Sequence, residues 1–134
     1  MTSVFADSFY FFALVNPQDP AHGKAVAFSQ TYVGQVVMTG WVLTELADGL
    51  AKPVRWRAVF LQLAADIQAN PDMIVLPCTD QLLQEGILLY SQRPDKEWSL
   101  TDCISFVVMQ REGINEALTG DHHFEQAGFV SLLK

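Results

Sequence analysis

The feature that most restricts this chain is a repeated alternation of short apolar runs with longer, helix-patterned segments. Residues 3–6 form the first run, closed at once by Asp7. Residues 35–39, 73–77, 116–119 and 129–133 repeat the pattern, and Pro77 ends the third because proline cannot donate to a ladder. Runs this short, bounded by turn residues, read as strands. The segments between them carry helix signals. Residues 9–15 stop at Asn16-Pro17 and residues 56–70 stop at Asn70-Pro71, where the residue before proline is pushed out of helical geometry. Asp19 and Pro20 open a segment running to Tyr32, as an N-cap followed by proline at the first helical position. Further helices are expected at 41–50, at 79–90 capped by Thr79 or Asp80, at 99–111 stopped by Gly113, and at 122–127 closed by Gly128. Strand and helix in alternation imply right-handed crossovers. The expected class is therefore α/β, a central parallel five-stranded sheet flanked by helices, in a single domain over residues 1–134.

Half of the residues are hydrophobic, enough for a sizeable core, and only 17% are charged, which leaves apolar surface for a partner. A net charge of −7 argues against holding nucleic acid by charge alone. It does not exclude an enzyme that meets its substrate through metal ions. Cys78 and Cys103 form no CxxC pair, and two thiolates do not complete a structural zinc site, so both are expected to be reduced, mostly buried thiols in a cytoplasmic protein. Asp7 interrupts the first apolar stretch before any signal-peptide pattern, and no run of 18 apolar residues occurs.

Four acids fall at equivalent places along this pattern. Asp7 directly follows the first strand, Glu45 lies on the helix after the second, Asp102 lies in the first turn of the helix after the polar loop 93–97, and Asp121 directly follows the fourth strand. Open parallel sheets bind ligands beyond the carboxyl ends of their strands, near the switch in strand order. Each acid also has a plainer explanation. Asp7 and Asp121 suit helix caps, Ser99-x-x-Asp102 suits a capping box, and Glu45 flanks an apolar helix face as an ordinary exposed carboxylate. The plainer explanations account for each acid singly and leave their common edge unexplained. Carboxylates gathered within a few ångströms repel unless a cation is bound, and oxygen ligands without thiolates suit Mg²⁺ or Mn²⁺. Such ions serve phosphodiester hydrolysis.

At these residues the chain resembles the PIN-domain ribonucleases. The similarity runs through the early "VFADS", the mid-chain "TGWVLTEL" and the long stretch "DKEWSLTDCISFVVMQREGINEALTGDHHFEQAGF", the last being the most specific. The resemblance implies a PIN-like three-layer sandwich. It also implies a metal-dependent endoribonuclease with Asp7, Glu45, Asp102 and Asp121 around Mg²⁺ or Mn²⁺. Small free-standing members include the VapC-like toxins, which pair with an antitoxin; related domains serve RNA processing or act as silent interaction modules. By the same resemblance Ser8 and Thr101 are supporting hydroxyls. Many toxin members carry a second small polar residue after this pair, whereas here Asp7-Ser8 runs into Phe9-Tyr10-Phe11-Phe12. The departure bears on substrate positioning rather than on the acidic set.

Other residues weigh less. Neighbouring His122 and His123 point in different directions from a helix start, and both are expected outside the ligand set. Arg93 and Lys96, just before Asp102, are the candidates for holding RNA phosphates, against an ordinary solvated surface. Tryptophans 41, 56 and 98 suit core packing better than base stacking. A dehalogenase-type phosphatase needs an aspartate where Phe9 stands, and a receiver domain needs an acidic pair after the first strand. The apolar runs 9–15 and 59–63 further suggest a homodimer and a groove for an antitoxin helix.

Overall fold

A computed structural model describes residues 2–134. The strands are β1 (Ser3–Ala6), β2 (Gln35–Thr39), β3 (Met73–Leu76), β4 (Glu116–Leu118) and β5 (Val130–Ser131). The helices are α1 (Ser8–Val15), α2 (His22–Thr31), α3 (Gly40–Gly49), α4 (Arg55–Ala69), α5 (Asp80–Gln92), α6 (Leu100–Glu112) and α7 (His122–Gln126). All strand pairs are parallel, in the order β3-β2-β1-β4-β5. The chain builds from β1 to one side and then returns to the other, so the switch in order falls between β1 and β4.

Successive strand residues face opposite sides, yet Val4, Phe5 and Ala6 are all buried, as are Val36 through Thr39. The sheet is therefore covered on both faces, as parallel sheets require. On the flanks α1 packs against α2 and α3, and α5 packs along α6. The α1–α3 approach depends on Gly49, because a Cβ there would lie 2.3 Å from the Phe12 ring. Gly113 ends α6 at φ 68, a conformation that glycine adopts without a steric cost. Among the described residues no helix is long and apolar enough to cross a membrane.

Three expectations are corrected. The second helix starts at His22 rather than after Asp19, because the Asp19 side chain accepts from the Ala21 amide at 2.9 Å and so closes a turn instead of capping. The fifth strand shrinks to two residues. Beyond it the chain turns, and the Leu132 and Leu133 amides donate to the carbonyls of Ala117 and Thr119. Cys103 is buried as expected, but Cys78 follows Pro77 into the turn before α5 and is exposed.

Candidate active site

The parallel register sets the first contact. Phe5 pairs with Ala117 and Ala6 with Leu118, so the next residues, Asp7 and Thr119, leave the sheet side by side. Thr119 Oγ1 donates to Asp7 Oδ2 at 2.9 Å, and the Ser8 amide donates to Oδ1 at 2.9 Å, which makes Asp7 the N-cap of α1. Ser8 turns its hydroxyl the other way and donates to Glu45 Oε1 at 2.5 Å. Asp102 sits in a reciprocal capping box, where the Ser99 amide donates to its Oδ2 at 3.1 Å and its own amide donates to Ser99 Oγ at 3.0 Å. Asp121 caps α7 by accepting from the His123 amide at 3.0 Å.

Asp7, Ser8, Glu45, Asp102 and Asp121 line one cavity of about 520 Å³, together with Ser99, Glu97 and His123. All four expected acids are thus brought together. Asp7 is pushed up from 3.8 to about 7. Burial is the first cause, the Thr119 hydroxyl opposes it, the charges of Glu45 and Asp102 add to it, and the Ser8 amide opposes. Among the described residues no lysine or arginine forms an ion pair with any of the four acids. Among the described residues no buried side-chain oxygen or nitrogen lacks a partner. Asp102 Oδ1 and Glu45 Oε2, on two residues of the cavity lining, accept no hydrogen bond from the described residues and are not buried. Open carboxylate oxygens, an uncompensated like charge and the absence of thiolates at the site fit a hard divalent cation.

The supporting residues fall differently. Ser8 lies at the site, whereas Thr101 forms no side-chain hydrogen bond and lies outside the cavity lining. Its expected place is taken by Ser99, which caps Asp102, and by Thr119, which sequence reasoning missed. The signal for Thr119 was its position one residue past the end of β4, in register with Asp7. Arg93 and Lys96 line a neighbouring cavity of about 530 Å³ that meets the acidic one at Glu97. Arg93 pairs with Asp95 at 3.0 Å and lies over the Trp98 ring. The histidines separate: His122 is exposed, while His123 points inward and places Nδ1 3.0 Å from Asp102 Oδ2.

No protein-family model matches the chain. The chain is 30% identical over 129 residues to the 23S rRNA-specific endonuclease VapC20 of Mycobacterium tuberculosis, covering 96% of this chain and 97% of that protein. The crystal structure of M. tuberculosis VapC20, described as a sarcin–ricin loop cleaving toxin, superposes with a TM-score of 0.85 at 28% identity over 95% of this chain and 96% of that one. FitAcB from Neisseria gonorrhoeae shares the fold, with a TM-score of 0.69 at 17% identity over 96% and 95% of the two chains. With the acids gathered at the sheet switch and a relative aligned over nearly its whole length, the chain belongs to the VapC-like PIN-domain ribonucleases, the RNA-cleaving toxins of toxin–antitoxin pairs.

Proposed function

We propose that this protein hydrolyses RNA phosphodiester bonds with Mg²⁺ or Mn²⁺ held by Asp7, Glu45, Asp102 and Asp121, as one PIN domain over residues 1–134. The observation that carries the proposal is one cavity lined by four carboxylates, with no lysine or arginine paired to them among the described residues and with Asp7 lifted to about 7. A divalent ion bound there supplies positive charge to the scissile phosphate and lowers the pKa of water. The chain's own residues do the positioning. Thr119 and the Ser8 amide fix both oxygens of Asp7, the Ser8 hydroxyl fixes Glu45 Oε1, and Ser99 fixes Asp102 Oδ2. Asp102 Oδ1 and Glu45 Oε2 are left for the ion or for the proton released by the attacking water.

Arg93 and Lys96 hold the RNA backbone on the Glu97 side. Lys24 and Lys134 line a cavity that meets the acidic one at Phe9, and they take the strand on the other side. Since the VapC20 relative is named for cleavage of 23S rRNA, large-subunit rRNA is the first substrate to test. The protein acts in the cytoplasm and forms a homodimer. Its antitoxin places an apolar helix on the groove of Val15, Ala58, Val59 and Leu63, beside exposed Leu61.

The test is RNA cleavage by the purified chain with Mg²⁺ or Mn²⁺ and with EDTA. Asp7→Asn and Asp102→Asn are each expected to lose at least about a hundredfold under single-turnover conditions. Cleavage that survives EDTA, or either variant at the wild-type rate, refutes the proposal.

A further inference from the structure

We propose that His123 is the positioning residue of the acidic site: its Nδ1–H holds the Asp102 carboxylate by Oδ2, which would leave Oδ1 free for an ion, and the residue links Asp102 to Asp121. The inference rests on the metal-site proposal above and names a residue outside the four acids. The two histidines differ sharply, the His123 side chain being 19% exposed and that of His122 68%. His123 Nδ1 lies 3.0 Å from Asp102 Oδ2 and 3.4 Å from Asp121 Oδ2. An ionised carboxylate only accepts, so the ring nitrogen between these oxygens carries the proton. That tautomer leaves Nε2 without a role in the contact.

The ring is held in place by its own residue and its neighbour. The His123 amide donates to Asp121 Oδ1, so one residue grips Asp121 through its main chain and Asp102 through its side chain. Phe124, the next residue, is fully buried, with its ring 6.4 Å from that of Phe5 and 5.0 Å from that of Phe106. The short helix α7 cannot turn without withdrawing Phe124 from the core. Two carboxylates from separate elements are therefore held by one residue. A carboxylate oriented by such a partner binds a metal more tightly, and losing the partner typically costs about 10–100-fold in affinity or activity.

Side-chain length distinguishes the two ring nitrogens. In His123→Asn the amide nitrogen falls near the position of Nδ1, whereas in His123→Gln it falls near that of Nε2. Mn²⁺ affinity of the full chain is measured by the free-Mn²⁺ resonance signal, and RNA cleavage is measured at saturating Mn²⁺. Melting curves confirm that each variant is folded. The Asn variant is expected within about threefold of wild type in affinity, with Gln and Ala about 10–100-fold weaker. Equal affinity in all four proteins overturns the proposal, as does rescue by Gln without Asn, which would place the function at Nε2. Absence of Mn²⁺ binding by the wild type refutes the metal reading instead. The order of cleavage rates then decides for His123, since Asn above Gln and Ala still supports the Nδ1 contact and any other order overturns it.

Discussion

Asp7→Asn is expected to destroy activity and to stabilise the metal-free protein at the same time. The folded-state pKa of Asp7 is about 7, against 3.8 for an ordinary aspartate. A group whose pKa rises on folding binds its proton more tightly when folded, so it favours the native state only while protonated. Below pH 3.8 both states carry the proton and the group has no effect. Between 3.8 and about 7 the unfolded chain ionises first, and stability falls as pH climbs. Above about 7 the full penalty applies, on the order of 4 kcal/mol at 1.36 kcal/mol per pKa unit. Asparagine keeps an oxygen for the Ser8 amide and a shape close to that of aspartate, but it carries no charge. Weaker hydrogen bonds to Ser8 and Thr119 offset part of the gain, leaving about 2–3 kcal/mol. For a chain of this length that is roughly 10 °C in Tm. Melts in EDTA at pH 8 should show the variant above the wild type, with the gap closing near pH 4.5. Excess Mn²⁺ should stabilise only the wild type, closing the gap at a hundredfold over Kd, about 2.7 kcal/mol, and reversing the order at a thousandfold, about 4.1 kcal/mol. A variant no more stable than wild type at pH 8 in EDTA would refute the reasoning.

Ser8→Ala frees Glu45 Oε1, and single-turnover cleavage is expected to fall about tenfold while Tm moves by only a few degrees. Thr119→Val removes a hydrogen bond that lowers the Asp7 pKa, so carboxyl NMR titration in EDTA should find Asp7 above the wild-type value; a lower value contradicts the assignment. Phe124→Ala should cost about 3–5 kcal/mol by denaturant unfolding, because its ring is fully enclosed. Replacing Arg93 and Lys96 together by alanine should weaken RNA binding by Asp102→Asn protein and flatten its salt dependence by about 0.7 per lost phosphate contact; an unchanged slope removes both from the RNA path.

The strands and most helices were legible because short apolar runs and turn residues act locally. Thr79, Ser99 and Gly113 each perform the capping role that their residue types suggest. Asp19 misled because the same side chain can close a turn or cap a helix, and nothing nearby in sequence decides between the two. The four acids are expected together from their places along the strand–helix pattern, and the structure puts all four in the lining of one cavity. The hydroxyl partners were harder to see. Thr119 meets Asp7 across 112 positions of sequence, a contact fixed by the β1–β4 register and visible only once the strand order is known. His123 was set aside because adjacent residues on a helix diverge. That argument holds, and it selects one histidine: His122 goes to solvent and His123 to Asp102.

On the proposed metal reading, capping and metal binding do not compete for these acids; the first would prepare the second. Asp7 caps α1, Asp102 completes the box that opens α6, and Asp121 caps α7. Each cap draws carboxylate oxygens toward main-chain amides, which fixes the rotamer without any ion. In Asp102 the amide takes Oδ2 and leaves Oδ1 free of hydrogen bonds from the described residues. The starts of α1, α6 and α7 all contribute residues to this one cavity, and the partial positive charge of a helix start offsets some of the repulsion among the acids. Glu45 lies outside this scheme, since it sits beyond the first turn of α3, and it is held instead by a hydroxyl from the residue that follows the Asp7 cap. The arrangement assembles the cluster before a cation arrives, while burial of Asp7 keeps the metal-free state under tension. On the same reading, a cation that binds would relieve an existing penalty instead of having to organise the site.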